Sequence, residues 1–513
     1  MVLSVKEYRD KVLGCWTGKN IGGTLGAPFE CRRGVFEFDF YTQDLGGEPL
    51  PNDDLDLQLV WLNVAEKYGR FTNASILGEY WHSYIVPNWS EYGAGKNNMR
   101  MGLLPPLSGY VNNNNRDSCG AFIRSEIWAC LAPGHPEIAV KYAYEDAIVD
   151  HSHEGVYAEI FFAAIQSSAF VETDMHRLID IGLSYIPEDC GIAKAVRCVI
   201  DCRNAGLDWK EARKRLLNEV PGSFGMLTGY ETREPETDVP VGRMGYDAPS
   251  NVGITILGWL YGENDFGKSL CIAAGCGEDS DCTAGTLGAI LGIINGYRGI
   301  PEKWLVPIGK SIKTISVNLG DAGITIPKTV DELTDRVIRL TPLFLGSDFC
   351  DTIGSANGYS VKTLEPQFLF NHPVRINSYA CYRFEDELML QPFQVKHRFI
   401  LFDVVVNYYE EPYVRESEMK KFRLTIENNM RIQQWLEIKW YLPDGWQIAP
   451  SEEVSLSLEQ YHGNIGRAEV EFEITPAGLN RARYDLVVEI RSNGRHSKGL
   501  IPIVLLNGLK SEV

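Results

Sequence analysis

The chain has 513 residues and 57.6 kDa, which at ~150 residues per domain suggests two to four domains. Its 44% hydrophobic and 23% charged residues exclude wholesale disorder. A net charge of −19, with no Lys/Arg cluster to offset it, argues against a nucleic-acid or anionic-membrane partner.

In chain order, helical spacing of apolar residues predicts helices over 54–68, 136–149, 155–170, 191–205, 208–220, 251–261, 266–276, 282–297 and 302–313. Asp208 fits an N-cap and Pro301 a first helical position, while Gly69 and Gly206 fit stops. Ten or so helices with few strand signals predict an all-α domain over 1–345. The loop-rich 346–369 reads as a linker. Beyond it the period shifts to two, and strands are expected over 399–406, 421–427, 435–441, 454–458, 468–474, 483–491 and 500–506, separated by turns such as Pro443-Asp444-Gly445. Seven or more short strands predict an all-β, immunoglobulin-like sandwich over 370–513. Its segment 424–446 resembles bacterial immunoglobulin-like modules appended to hydrolases. Trp435 and Trp440 are an odd number apart, so they face opposite sides of a strand and only one belongs to the core.

The twelve cysteines are too sparse for a disulfide scaffold and include no CxxC pair or zinc-finger spacing. Reduced thiols in a cytoplasmic protein are the simplest expectation, and the opening MVLSVKEYRDKVLG has no apolar core of signal-peptide length. The apolar stretches 155–171 and 284–296 are, respectively, interrupted by polar residues and too short to span a bilayer. Both read as core helices.

Gly14, Gly18, Gly22 and Gly26 recur every four residues, and Gly285, Gly288, Gly292 and Gly296 every three or four. Glycine costs a helix up to ~1 kcal/mol against alanine, so two glycine-lined faces suggest backbones in close approach. Two acidic clusters precede helices: Asn52-Asp53-Asp54-Leu55-Asp56 and Glu278-Asp279-Ser280-Asp281-Cys282. One carboxylate at each helix start would be accounted for by the dipole, at ~0.3–1 kcal/mol. Adjacent and alternating pairs repel unless a cation or shared proton neutralises them. Spacing alone leaves capping and a metal site both open. Carboxylates with neutral oxygens would suit Mg²⁺, Mn²⁺ or Ca²⁺.

"GCWTGKNIGGTLGAPFE" (14–30), "GAFIRSEIWACL" (120–131), "PSNVGITILGWLYGENDF", "NDDLDLQLVW" and "GEDSDCTAGTLGAILG" together resemble the ADP-ribosylglycohydrolase family, which includes the dinitrogenase reductase-activating glycohydrolases and the crystallin J1 relatives. The resemblance covers roughly 8–310 in the family's order. It implies an all-α fold with two Mg²⁺ ions (Mn²⁺ being possible) at the base of a cleft. Asp53, Asp54, Asp279 and Asp281 match metal ligands, with Asn52 supplying an amide oxygen where the family has Thr or Ser. Glu30 matches a glutamate that acts in catalysis in some relatives, and Asp54 and Asp279 are the other catalytic candidates. Gly120, Arg124, His151 and Tyr246 are candidate substrate contacts: Arg124 for phosphate, Tyr246 for an adenine, His151 as a cleft histidine. Capping, surface or core roles compete for each. Two departures matter: Leu55 removes one oxygen, and Cys282 puts a thiol where a Thr ligand is usual.

The resemblance implies a metal-dependent hydrolase of an N- or O-glycosidic bond to ADP-ribose, acting on an ADP-ribosylated protein or a small ADP-ribose conjugate. Two alternatives stay open: a hydrolase of another ribosyl or nucleoside metabolite, and a catalytically weak ADP-ribose-binding protein. A homo-oligomer is possible. The sandwich carries no acidic pair or nucleophile constellation, so it is expected to supply no catalytic group.

Overall fold

A computed structural model describes residues 1–220, 245–317, 323–351, 358–372, 390–460 and 466–508, with the backbone of two short strands at Glu231–Thr232 and Gly242–Arg243. Parts of the expected linker (352–357) and of the start of the sandwich module (373–389) lie outside the described residues. The chain divides into two compact units. One comprises Met1–Asn73, Tyr84–Gly95 and Gly109–Ala380; the other Ala74–Ser83, Lys96–Ser108 and Cys381–Val513.

The first unit is helical. It opens with the helix Val5–Gly26, whose N-cap Ser4 accepts a hydrogen bond from the Glu7 backbone, with Glu7 in the first turn as in a capping box. This helix runs antiparallel to Ser280–Asn295 with almost nothing between the backbones. A methyl group on Gly14, Gly18, Gly22 or Gly26 would lie 2.2, 2.0, 2.0 or 2.2 Å from the carbonyl oxygens of Gly292, Gly288, Ala284 and Ser280, respectively. The glycine periodicity thus brings the end of the first helix beside the start of the second, where the second acidic motif sits.

Most expected helices form: Asp53–Tyr68, Pro136–Ala147, Glu154–Ser168, Gly191–Asn204, Trp209–Glu219, Ala248–Gly262 and Phe266–Gly275. The expected helix over 302–313 stops at Leu305, because Pro307 cannot donate to a helix and Gly309 turns left-handed at φ +59°. Pro301 occupies its N-cap, not its first helical position. No helix among the described residues is long and apolar enough to cross a membrane.

The second unit carries a β-sandwich. One five-stranded sheet runs Tyr413–Val414, Lys498–Asn507, Arg483–Ser492, Gln434–Tyr441, Glu453–Leu458. The other runs Gln447–Ala449, Arg467–Thr475, Lys420–Asn428, Phe402–Asn407, Gln394–Arg398. All neighbours pair antiparallel except Tyr413–Val414 with Lys498–Asn507. In the same unit Glu79 holds Arg495 at 2.9 Å, fixing a helical piece to the turn before the last strand. Strand alternation puts Trp440 at 1% exposure against Phe422 and Phe472 of the opposite sheet, while Trp435 is 52% exposed. Trp440→Ala should therefore cost about 3–5 kcal/mol, and Trp435→Ala at most about 0.5 kcal/mol, in urea denaturation of the full chain. Equal costs would contradict this orientation.

Candidate metal centre and active site

The first acidic motif starts its helix through Asn52, whose Oδ1 accepts the Asp54 N–H at 2.8 Å. That leaves Asp53 and Asp54 free of the capping duty. Asp54 is buried, 3.2 Å from the Lys19 ammonium, and accepts the Cys282 thiol at 3.3 Å. Asp53 accepts the Tyr92 hydroxyl at 3.0 Å. At the second motif Asp279 holds the N-cap position of Ser280–Asn295 without making a side-chain cap. Its Oδ2 instead accepts the Cys119 thiol at 2.6 Å. Capping does not account for this carboxylate.

Glu30 is brought in by a short ladder. Arg32–Arg33 pairs antiparallel with Gly277–Glu278, and the Cys31 N–H bonds Glu278 O at 3.1 Å. Glu278 is not part of the cluster. It turns away to a two-pronged ion pair with Arg33 (2.6 and 3.0 Å) and to the Gly245 N–H.

Three overlapping groups result, each with one ligand-type atom per residue within 4.8 Å of the others: Glu30–Asp279–Asp281, Asp54–Asp281–Cys282 and Cys119–Asp279–Cys282. Asp53 belongs to none of them. Asp281 is buried, and its Oδ1 has no hydrogen-bond partner among the described residues. Burial, with the neighbouring carboxylates, pushes these acids towards their neutral forms: Glu30 up to about 7, Asp53 up to about 8, Asp279 upward and Asp281 far upward. Glu30 remains open to solvent at the rim. The one lysine among them, Lys19, is shared with Glu126 at 3.2 Å. A divalent cation would relieve this crowding, and Glu30–Asp279–Asp281 is an all-oxygen donor set of the kind Mg²⁺ or Mn²⁺ takes.

Several expected site residues have other places. Asn52 uses its oxygen in the cap and turns its Nδ2 to Asp281 at 3.3 Å, so a donor rather than a lone pair faces the cluster. Arg124 is fully buried and bonds Asp146 (2.8 Å), Asp150 (2.7 Å) and the Gly120 carbonyl (2.9 Å). It braces the site and offers nothing to a phosphate in solvent. His151 is likewise buried between Asp150 (2.9 Å) and Ser118 (2.8 Å). Gly120 makes room for Glu91, whose Oε1 would lie 2.1 Å from a methyl group there. Tyr246 is half-buried at the rim with its hydroxyl on the Cys31 thiol. Sequence reasoning passed over Cys119, Lys19 and Tyr92. Lys19 gave a signal, a single cation in the glycine-rich stripe; Tyr92 gave none.

A sequence model of the ADP-ribosylglycohydrolase family matches residues 4–342. A solved structure titled "ADP-ribosylglycohydrolase-related protein complex" is similar at 17% identity and a TM-score of 0.39, covering 66% of this chain and 100% of its own. Another, the Pseudomonas fluorescens alkylpurine DNA glycosylase AlkC bound to DNA containing an abasic site analog, aligns at 12% identity and a TM-score of 0.14 over 87% of this chain and 99% of its own. No curated protein matches. With the family match spanning the glycine seam and both acidic motifs, this chain belongs to the ADP-ribosylglycohydrolase family and is a glycosidic-bond hydrolase.

Proposed function

We propose that the chain hydrolyses an N- or O-glycosidic bond to ADP-ribose, in an ADP-ribosylated protein or a small conjugate, with Glu30, Asp54 and Asp279 as its catalytic groups. The observation that carries this reading is the meeting of Glu30, Asp279 and Asp281 at the end of the glycine seam. These three would hold Mg²⁺ or Mn²⁺. The expected pair of Mg²⁺ ions fits less well, because Cys282 replaces an oxygen at the neighbouring position. The chemistry a bound divalent ion supplies is charge neutralisation and the orientation of water and sugar hydroxyls.

The protein's own groups do the rest. Glu30, at the solvent-open rim of the cluster, is placed to exchange a proton with the leaving group or the attacking water. Asp54, held in place by Lys19, and the ionised form of Asp279 would present carboxylates to an anomeric carbon of oxocarbenium character. Cys119 and the buried Arg124–Asp150–His151 network position the loop bearing Gly120.

The test is chromatographic detection of ADP-ribose released from arginine-linked, serine-linked and small conjugates, with Mg²⁺ or Mn²⁺ and with chelator. Release should require the metal, and Glu30→Gln should lower kcat about 10²–10⁴-fold. Cys282 in place of an oxygen ligand favours a second reading, hydrolysis of another ribosyl or nucleoside metabolite. Turnover of such a compound alone would select it. Tight ADP-ribose binding without turnover of any conjugate would instead identify a binding protein.

A further inference from the structure

We propose that Cys119 and Cys282, with Asp279, form a thiolate–carboxylate position that takes a zinc-class divalent ion beside the all-oxygen position of Glu30, Asp279 and Asp281. The proposal rests on reading the cluster as a metal centre and adds the identity of one of its ions. Buried cysteines are usually small hydrophobes packed among apolar side chains. These two are not placed that way. Cys119 and Cys282 are buried, at 2% and 7% exposure. The Cys119 thiol donates to Asp279 at 2.6 Å and the Cys282 thiol to Asp54 at 3.3 Å.

The donor atoms of Cys119, Asp279 and Cys282 lie within 4.8 Å of one another. Zn–S bonds of about 2.3 Å and Zn–O bonds of about 2.0–2.2 Å place tetrahedral ligands roughly 3.5–4 Å apart, so the 2.6 Å contact of Cys119 with Asp279 must lengthen by about 1 Å while the wider spacings close. Three protein ligands leave a fourth position for water or substrate, the pattern of catalytic zinc. The adjoining group Asp54, Asp281 and Cys282 shares the Cys282 thiol, and in it the buried Asp281 Oδ1 has no hydrogen bond among the described residues. Two thiols disfavour Mg²⁺ and favour zinc-class ions. On binding, each thiol loses its proton to solvent. Two S–H bonds are exchanged for two metal–sulfur bonds, with no change of oxidation state.

The experiment uses the full chain, reduced and stripped of metal. Co²⁺, the spectroscopic probe for this class, should bind with an intense sulfur-to-cobalt charge-transfer band in the near ultraviolet. Zinc-edge X-ray absorption of the zinc-loaded native chain should show sulfur scatterers at about 2.3 Å. Cys119→Ser with Cys282→Ser should remove the cobalt band and lower Zn²⁺ affinity, measured by chelator competition, by more than about 100-fold. Mn²⁺ binding, followed by paramagnetic resonance, should persist at the all-oxygen position. The absorption measurement needs no variant and decides the matter even where the serine pair does not fold. Oxygen or nitrogen scatterers alone, or cobalt bound without the band, overturns the proposal. If Mn²⁺ still binds and supports turnover in that case, only the thiolate position falls. If no divalent ion binds at all, the metal-assisted reading falls with it.

Discussion

Gly18→Ala and Gly22→Ala should each abolish or nearly abolish the fold of the helical unit. By helix propensity alone the change is favourable, because alanine is preferred over glycine by about 1 kcal/mol in a helix interior. Geometry overrides propensity here. The new methyl group would sit 2.0 Å from a backbone carbonyl oxygen in both cases, against an ordinary contact of 3.4–4 Å. Typical overpacking costs about 1–3 kcal/mol because side chains can rotate out of the way. A backbone carbonyl has no such freedom, so the whole seam must open. The penalty should exceed about 5 kcal/mol, comparable with the total stability of many domains at about 5–15 kcal/mol. A weaker lesion that still folds should draw Glu30 away from Asp279, since the seam and the short Arg32–Arg33 ladder together hold them there. Gly206→Ala is the control: it has φ +74° and no atom within 4 Å, so it bears only left-handed strain of about 1–2 kcal/mol. Denaturation followed by circular dichroism distinguishes the two classes. A midpoint unchanged by Gly18→Ala would refute the close approach.

The same seam shows why so much was legible in the sequence. Glycine every four residues on two helices has few physical explanations, and the acidic motifs lie at the ends that the seam joins. Strands of the sandwich were legible because each faces a core on one side, as in Gln434–Tyr441 with its alternating burial. Val330–Leu345 escaped because Pro342 in its last turn reads as a breaker. Ser90–Arg100 escaped because its glycines and asparagines are poor helix formers. At the site, residue type revealed ligand chemistry but not orientation. Asn52, Arg124 and His151 have the right atoms for a cleft, and only packing shows that each is bonded inward. Cys119 was illegible because its partner Asp279 lies 160 positions away.

Divalent metal should stabilise the protein more at pH 8 than at pH 6. A carboxyl whose folded pKa is raised favours the fold while protonated and disfavours it once ionised. Glu30 and Glu126, each raised to about 7 chiefly by burial, and Asp53, raised to about 8, hold protons in the folded chain that the unfolded chain has lost above about pH 4. Metal-free stability therefore falls as pH rises through the range 4–8, by up to about 1.4 kcal/mol per pH unit for each such proton. The solvent-accessible Glu30 contributes less than the buried groups, because water screens it. His82, lowered to about 3 by burial, acts in the opposite direction, since the unfolded histidine takes a proton below about 6.5 and the folded one does not. That gain is complete by about pH 6.5. Lys96, lowered to about 8, begins to favour the fold only above that value. Between 6.5 and 8 the carboxyl groups therefore set most of the slope, the buried cysteines adding to it in the same direction only near pH 8, where thiols of the unfolded chain begin to ionise. Metal ligands must be ionised to bind, so a divalent ion competes with the protons on Glu30, Asp279 and Asp281, whose carboxyls are likewise raised in the metal-free chain. At a hundred times its dissociation constant it adds about 2.7 kcal/mol, and that dissociation constant should fall as pH rises. Thermal denaturation at pH 6, 6.5, 7 and 8, in chelator and in Mg²⁺ or Mn²⁺, measures both effects. In chelator the midpoint should drop from pH 6.5 to 8, and with metal the drop should flatten or reverse. A metal-induced shift of equal size at pH 6 and pH 8 would show that the ion binds elsewhere than at these carboxylates.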